Sequence, residues 1–236
     1  MGQLEGKVIL VTGASRGIGL AIARALGKEG ARQILVGRSA RALGRAAAQV
    51  PGGALSFPTD VTRPAEVSRL FGTVRKRFRR LDVLVNNAGV FTYKPFARTT
   101  LADWQKNIDT NLTALFLTTR AALPLLARCH GHVVNILSIS SREAFPNCSA
   151  YSASKFGALG FTRVLREELR PLRIRVTAIL PGSTNTRLKD EFDFSVRERD
   201  LVQPEDVAAV VLGALVQPRR TTVEEIVLMP SRGSLG

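Results

Sequence analysis

Two side chains in the second half of the chain have the types and spacing needed for acid–base chemistry. Tyr151 and Lys155 are four residues apart at the start of a predicted helix, so both side chains lie on one face of it. A phenol titrates near pH 10, so proton transfer near pH 7 requires its pKa to fall by about three units, or roughly 4 kcal/mol. A neighbouring ammonium group favours the phenolate. The same pair is also common on protein surfaces, so a third group is needed to indicate a catalytic site.

Ser138 is the candidate for that third group. It follows an apolar run, Val133–Leu137, that predicts a buried strand, and open parallel sheets bind ligands at the carboxyl ends of their strands. A hydroxyl there can hold a substrate oxygen while Tyr151 donates or accepts the proton. Ser140 and Ser141 are competing hydroxyls, and the residue types alone do not choose among the three.

A glycine-rich turn near the N-terminus has the chemistry of a phosphate-binding loop. Its sequence is Thr12-Gly-Ala-Ser-Arg-Gly-Ile-Gly19, between an apolar strand-like run and a helical pattern. Gly13, Gly17 and Gly19 let the backbone turn tightly and approach a ligand, and the helix start offers free N–H groups to a diphosphate. In this strand–turn–helix context the pattern predicts a dinucleotide-binding turn.

Short apolar runs alternate with longer helical patterns along the whole chain. Strands that are apolar on both faces and separated by helices predict a parallel sheet with helices on both sides. No linker or repeat divides the chain, so we expect one α/β domain over residues 1–236. The predicted strands are Val8–Val11, Gln33–Val36, Ala54–Phe57, Val83–Val85, Val133–Leu137, Ile174–Ile179 and Glu225–Met229. The predicted helices are Ile18–Glu29, Ala40–Val50, Pro64–Phe78, Leu101–Leu126, Ser152–Leu169 and Pro204–Val216.

The composition excludes several classes of protein. Charged residues make up 22% of the chain and hydrophobic residues 45%, which excludes disordered, collagen-like and low-complexity chains. The longest stretch without a charged residue, Ala46–Thr59, has 14 residues, too few for a membrane helix of about 20. The segment Met1–Lys7 lacks the basic start and cleavage site of a signal peptide. We therefore expect a cytoplasmic protein with no membrane partner.

The formal charge of +15 raises the alternative of nucleic-acid binding, for which Arg75–Arg80 is the densest basic stretch. Phe71, Val74 and Phe78 recur at helical spacing through it, which predicts an amphipathic helix with its charged face in water. We expect no nucleic-acid partner. The segment Cys129-His-Gly-His132 has no supporting carboxylates, so we also expect no metal site.

Five motifs together resemble the short-chain dehydrogenase/reductase family, in its order and at its spacings over essentially the whole chain. They are the glycine turn, Asn86-Asn-Ala-Gly89, Ser138, Tyr151-Ser-Ala-Ser-Lys155 and Pro181-Gly182. The resemblance implies a single-domain Rossmann fold, doubly wound, with a seven-stranded parallel sheet and helices on both faces. It also implies hydride transfer between a nicotinamide cofactor and a carbonyl or alcohol.

The resemblance assigns a catalytic role to four residues. Tyr151 would be the proton donor and Ser138, selected by its spacing over Ser140, would orient the carbonyl. Lys155 would bind ribose and, with a cationic nicotinamide, lower the phenol's pKa. Asn111 would hold a water against Lys155 in a proton relay.

Charge at the end of the second predicted strand indicates the cofactor. NAD-binding turns of this kind usually have an acid about 20 residues beyond the glycines, but this chain reads Val36-Gly-Arg-Ser39. Arg38 and Arg16 could together grip a 2′-phosphate, so we expect NADP(H). By resemblance, Asp60 and Val61 contact adenine, and Thr184 and Thr186 hold the carboxamide and diphosphate. The complete set of expected cofactor contacts is Gly13, Ser15, Arg16, Gly17, Ile18, Gly19, Arg38, Ser39, Asp60, Val61, Asn87, Ala88, Gly89, Tyr151, Lys155, Pro181, Gly182, Thr184 and Thr186.

The expected function is NADPH-dependent reduction of a small carbonyl compound to an alcohol, or the reverse. The alternative is a sensor or regulatory protein that binds NADP without turnover, which the complete catalytic set disfavours. Residues 187–203 are expected to form a short lid, with Arg142 facing the same pocket. The expected substrate contacts are Ser138, Ser140, Phe145, Tyr151 and Phe192. Surplus apolar positions on Leu101–Leu126 and Ser152–Leu169 predict a homodimer or homotetramer.

Overall fold

The computed structural model describes residues 2–186 and 197–233. One parallel sheet of seven strands has the order β3-β2-β1-β4-β5-β6-β7. The strands are β1 Val8–Thr12, β2 Arg32–Gly37, β3 Ala54–Pro58, β4 Val83–Asn86, β5 His132–Ile136, β6 Arg175–Pro181 and β7 Glu225–Leu228. The helices are α1 Gly17–Lys28, α2 Ala40–Ala47, α3 Pro64–Phe78, α4 Leu101–Ile108, α5 Ala114–Ala127, α6 Ser149–Leu169 and α7 Pro204–Leu215.

Helices cover both faces of the sheet because its strands are apolar on both faces. In β1 every residue is buried, and alternate side chains enter two separate cores. Ile9 and Val11 pack in the core formed with α1, α2 and α7, whereas Val8 and Leu10 pack in the core formed with α3, α5 and α6. The predicted doubly wound α/β fold is confirmed.

The strand order places a binding crevice at the end of β1. From β1 the chain moves outward through β2 to β3, and then crosses back to continue from β4 on the other side. The loops that follow β1 and β4 therefore diverge, and such a switch point is where open α/β sheets bind ligands.

A row of neutral polar side chains crosses the centre of the sheet and connects it to α5 and α6. The amide of Asn86 accepts a hydrogen bond from Thr118 (2.7 Å) and donates one to Asn135 (2.9 Å). Asn135 in turn donates to Thr162 on α6 (2.9 Å). Since these groups are buried and hydrogen-bonded to one another, they fix α6 to the strands beneath it.

One predicted helix differs from the structure. The expected segment Leu101–Leu126 is two helices, α4 and α5, joined by a π-helical turn at Asp109–Thr113. Apolar spacing does not distinguish a continuous helix from one that contains a single wider turn, so the sequence pattern missed it. No helix within residues 2–186 and 197–233 is long and apolar enough to span a membrane.

Gln33 lies on β2, between β1 and β3, and is only 2% exposed. Neither its amide oxygen nor its amide nitrogen has a hydrogen-bond partner among the described residues. Its neighbours in register are Ile9 of β1 and Ala54 of β3, which offer no polar side chain. A buried amide in this state destabilises the folded protein by about 1–3 kcal/mol.

We predict that Gln33→Leu raises the free energy of unfolding by about 1–2 kcal/mol, because it removes the unsatisfied amide at nearly constant volume. Urea unfolding followed by circular dichroism measures this. Gln49→Leu, at an exposed position, is the control and should change stability by less than about 0.5 kcal/mol. A Gln33→Leu variant less stable than the parent would contradict the prediction.

Candidate active site

The predicted catalytic side chains meet where β5 ends and α6 begins. The Tyr151 hydroxyl lies close enough to the Ser138 side chain to interact with it, and this interaction acts to lower the phenol's pKa. Lys155, one turn further along α6, has its Nζ 5.7 Å from the centroid of the Tyr151 ring and donates to the Ile136 carbonyl at 3.2 Å. The structure therefore brings the hydroxyl pair and the ammonium group together at the carboxyl edge of the sheet.

Burial dominates the electrostatics of this pair. It raises the pKa of Tyr151 to about 12, and the interaction with Ser138 only partly opposes the rise. Burial also lowers the pKa of Lys155 to about 8. The phenol's pKa therefore rises where the sequence suggested a fall, because burial removes the hydration that stabilises the phenolate. In this structure the phenol is held in its protonated form.

Asn111 lies in the π-helical turn and its side chain clamps two other segments. Its Oδ1 accepts from the Val90 N–H (2.9 Å), while its Nδ2 donates to the Val90 carbonyl (3.0 Å) and to Ser154 Oγ (2.9 Å). Both N–H bonds of the amide are thus used. A small cavity between this turn and the strands is lined by Thr12, Val61, Asn86, Ala88, Thr110, Asn111, Ala114, Leu115, Thr118, Ile136 and Lys155.

Ser154 completes this clamp and was not among the predicted site residues. Its hydroxyl is fully buried; it accepts from Asn111 and donates to the main-chain carbonyl of Tyr151 at 2.6 Å. The sequence signal for it was its position directly before Lys155, on the same helix as the catalytic pair.

The glycine turn is pressed against the loop that follows β4. Asn87 Nδ2 donates to the carbonyls of Thr12 (3.0 Å) and Gly13 (3.2 Å), and the Thr12 hydroxyl accepts from the N–H groups of Asn87 and Ala88 (both 3.0 Å). Gly13 has a φ of +65°, and a Cβ there would lie 2.9 Å from the Ala88 Cα. Only glycine fits so close an approach.

The start of α1 has no side-chain cap. Gly17 has a φ of +53°, and the side chain of Arg16 makes no capping hydrogen bond to the first turn of α1. Ser15 and Ile18 lie in the same turn. Uncapped N–H groups at a helix start are groups that can bind a phosphate.

Arg38 and Asp60 lie near each other at the ends of β2 and β3. Burial would raise the pKa of Asp60, but hydrogen bonds from Thr62 and the charges of Arg38 and Arg63 lower it. Arg38 is exposed and forms no ion pair among the residues that the structure describes. Val61, beside Asp60, lines the cavity. Ser39 caps α2, its hydroxyl accepting from the Ala42 N–H at 3.2 Å.

The loop after β6 returns to the glycine turn. Gly182, which follows Pro181, donates to the Leu228 carbonyl (2.8 Å), and the Thr184 hydroxyl donates to the Gly182 carbonyl (2.8 Å). A Cβ on Gly17 would lie 3.6 Å from Thr186 Cγ2. The two segments thus enclose the same space from opposite sides.

The expected substrate contacts are only partly brought together. Ser140 is buried and its N–H donates to Ser138 Oγ (3.1 Å), so it supports the catalytic serine through the main chain. Phe145 is partly buried in the loop before α6. Phe192 lies outside the described residues, as does the part 187–196 of the expected lid at 187–203.

Arg142 does not place its charge in the pocket, which corrects the sequence-based expectation. Its guanidinium binds the Glu225 carboxylate on β7, and Arg163 of α6 binds the same carboxylate at 2.8 Å. The Arg142 side chain turns toward this carboxylate because a charge-assisted hydrogen bond to it is strong.

The structure adds Phe91 to the site. Its ring packs edge-to-face on Tyr151, with 4.7 Å between ring centroids and 79° between ring planes. Phe91 follows the Asn-Asn-Ala-Gly turn by two residues. Its position just past the carboxyl end of β4 was the available sequence signal.

We predict that Gly19→Ala weakens NADPH binding at least tenfold. Its Cβ would lie 2.5 Å from both Asn87 Nδ2 and the Gly13 carbonyl, so the turn would have to shift. Fluorescence titration with NADPH measures the affinity, and circular dichroism confirms that the variant is folded. Gly44→Ala, where a Cβ meets nothing within 4 Å, is the matched control. Equal affinities in two folded variants would refute the prediction.

Comparisons with known proteins agree with this geometry. The family model described as short chain dehydrogenase matches residues 7–195. An uncharacterized oxidoreductase of Staphylococcus haemolyticus (strain JCSC1435) is 37% identical over 232 residues, which cover 98% of this chain and 100% of that protein. A Staphylococcus aureus (strain USA300) counterpart, also an uncharacterized oxidoreductase, is 36% identical over the same shares.

Two solved structures are similar over nearly the whole chain. A metagenomic short-chain oxidoreductase in complex with NADP has a TM-score of 0.86 and 34% identity, over 97% of this chain and 99% of its own. The alcohol dehydrogenase of the archaeon Thermococcus sibiricus, complexed with 5-hydroxy-NADP, has a TM-score of 0.89 and 30% identity, over 96% and 97%. With its motifs, its fold and these full-length matches in agreement, the chain belongs to the short-chain dehydrogenase/reductase family.

Proposed function

We propose that this oxidoreductase uses NADPH to reduce a small carbonyl compound to an alcohol, or catalyses the reverse reaction. The observation that carries the proposal is the convergence of the Tyr151 and Ser138 side chains where β5 ends and α6 begins, with Lys155 one helical turn away. Two hydroxyls converging on one point can bind a single carbonyl oxygen, and one of them can give it a proton.

The residues around the crevice fit a dinucleotide. Gly13 and Gly19 let the glycine turn lie directly against the loop after β4, because a Cβ at either position would collide with it. The start of α1 offers N–H groups to the diphosphate. Asp60 and Val61 would border the adenine, and Thr184 and Thr186 would lie on the nicotinamide side. The bound cofactor would supply the hydride.

The chain's own residues supply binding and the proton. Ser138 holds the carbonyl oxygen, and Tyr151 donates the proton from its hydroxyl. The raised pKa of Tyr151 favours reduction, because it keeps the phenol protonated until the substrate oxygen becomes basic. Lys155, whose pKa is lowered to about 8, then returns the proton to the phenol with little penalty.

Asn111 contributes to this relay through its main chain. Because its side-chain N–H groups already bind Val90 and Ser154, the amide serves to fix the π-helical turn. Main-chain carbonyls in such turns are freed from the regular helical pattern, and π-turns often occur at functional sites. A water in the cavity beside Lys155 would be held by one of these carbonyls.

NADP(H) is favoured over NAD(H) by charge. Arg38 and Arg16 are both exposed at the crevice. No Asp or Glu occurs between Arg38 and β3, so this segment has no carboxylate to bind the ribose hydroxyl. A guanidinium pair suits a 2′-phosphate. Both similar solved structures hold NADP or a derivative of it, which supports the proposal.

The alternative of a sensor without turnover is not favoured, because the proton-transfer residues are all present and grouped at the carboxyl edge of the sheet.

We also propose that the protein is a homo-oligomer. Phe116 on α5 and Phe156 and Val164 on α6 are 41%, 44% and 58% exposed, which gives the two helices an apolar surface suited to a second copy of the chain.

We predict that Tyr151→Phe binds NADPH normally but reduces carbonyl compounds about 10²–10⁴ times more slowly, the range expected for loss of a general acid. NADPH oxidation with a panel of aldehydes and ketones measures turnover, and fluorescence titration measures binding. Unchanged turnover would remove Tyr151 from the mechanism.

We also predict that Gly37→Asp combined with Arg38→Leu moves cofactor preference toward NADH by about tenfold to a hundredfold. The substitution supplies an acid for the ribose hydroxyl and removes the phosphate contact. A Cβ on Gly37 meets only ordinary contacts, the nearest at 3.5 Å. The ratio of kcat/KM for the two cofactors is the measurement, and Arg45→Leu, in the last turn of α2, is the control. A parent enzyme that prefers NADH would contradict our interpretation of β2.

A further inference from the structure

An aromatic wall extends from the catalytic tyrosine toward the protein surface. Phe91, only 5% exposed, packs edge-to-face on Tyr151. Tyr93 stacks on Phe91, with 6.3 Å between ring centroids and 20° between ring planes. Tyr93 is 37% exposed, so the three rings run from the buried phenol to the rim of the site.

The loop before α6 holds the outer ring of this wall in place. Asn147 donates from Nδ2 to the Tyr93 hydroxyl at 3.1 Å, and its carbonyl accepts from the Lys94 N–H at 2.8 Å. Asn147 has a φ of +62°, a left-handed conformation that costs free energy and that Asn tolerates better than most residues. Two segments that flank the catalytic tyrosine are therefore joined by a specific, strained contact.

Two cations in the loops that flank the outer part of this wall are already neutralised. Lys94 binds both carboxylate oxygens of Asp103, at 2.7 and 2.9 Å. Arg142 binds Glu225 at the sheet edge. Neither charge is available to pair with a carboxylate on a substrate, and the rings themselves are neutral.

We propose that Phe91 and Tyr93 form the substrate-side wall of the site and select a neutral carbonyl compound that carries an aromatic ring. The inference rests on the proposed carbonyl-reductase function and narrows its substrate class. A carbonyl oxygen bound by Tyr151 and Ser138 places its substituent beside these rings. Aromatic pairs prefer the offset and edge-to-face geometries that this wall presents.

The test compares benzaldehyde with cyclohexanecarbaldehyde, which has a ring of similar size without π electrons. We measure kcat/KM for both with NADPH in the parent, in Tyr93→Leu and in Phe91→Leu. Because intrinsic reactivity is the same in all variants, it cancels when the benzaldehyde preference of each variant is divided by that of the parent. We expect the preference for benzaldehyde to fall about two- to tenfold in each variant, which is the effect of losing one aromatic pair.

Two control variants separate the ring from other effects. Tyr93→Phe keeps the ring and removes the hydroxyl that accepts from Asn147, so it should retain most of the preference. Phe78→Leu removes a ring on α3 and should retain all of it. If Tyr93→Leu is poorly folded by circular dichroism, Phe91→Leu and Tyr93→Phe still decide the outcome.

Charge selection is tested with 4-formylbenzoate, which the parent should reduce at least tenfold less efficiently than benzaldehyde. An unchanged benzaldehyde preference in folded Tyr93→Leu and Phe91→Leu, or equal reduction of 4-formylbenzoate, would overturn the inference while leaving carbonyl reduction intact. If the parent binds NADPH but reduces no aldehyde or ketone, the proposed function itself fails.

Discussion

A single buried amide, that of Asn111, holds the parts of the site in register. Its three hydrogen bonds connect the π-helical turn to Val90, which follows β4, and to Ser154 on α6. Ser154 passes this restraint to the main chain of Tyr151. Asn111 and Ser154 are both buried, so breaking the bond between them would leave a partner unsatisfied at substantial cost. The position of the phenol relative to the β4 loop depends on this arrangement.

The sheet beneath the clamp is held by polar contacts of the same kind. Asn86 and Asn135 link neighbouring strands at their carboxyl ends, and Thr162 extends the row to α6. Asn87 fastens the glycine turn to β4. Hydrophobic burial is not directional, so it brings the layers together without specifying their relative position. The hydrogen-bonded asparagines supply that direction at the edge where chemistry is proposed.

Much of the architecture could be predicted from the sequence because its signals are local. The apolar run Val8–Val11 leading into three glycines indicates a buried strand, a tight turn and a helix start without reference to any distant residue. The same is true of Pro64–Phe78, whose bounds agree with α3. Ser138, Tyr151 and Lys155 come together because the carboxyl end of a strand and the start of the next helix must meet in this fold.

Features that depend on distant partners were missed. Arg142 forms an ion pair with Glu225, which is 83 positions away in the sequence, and no local pattern indicates that pairing. The raised pKa of Tyr151 comes from burial by the assembled site, whereas the residue types alone suggested a fall. The sequence around Gln33 does not indicate an amide without a hydrogen-bond partner, since strand propensity and the alternation of apolar residues do not show which groups pack against a side chain.

The π-helical turn between α4 and α5 has a consequence for the pattern of residues on either side of it. A turn that is one residue wider than an α-helical turn advances everything beyond it by about 100° around the helix axis, the rotation of one residue at 3.6 per turn. The buried face of α4 and the buried face of α5 are therefore out of phase with each other around the helix axis. Deleting one residue within Asp109–Thr113 would restore a continuous helix but rotate one of these faces toward solvent. The length of this segment is thus constrained by angular phase, even where the identity of an individual residue is not.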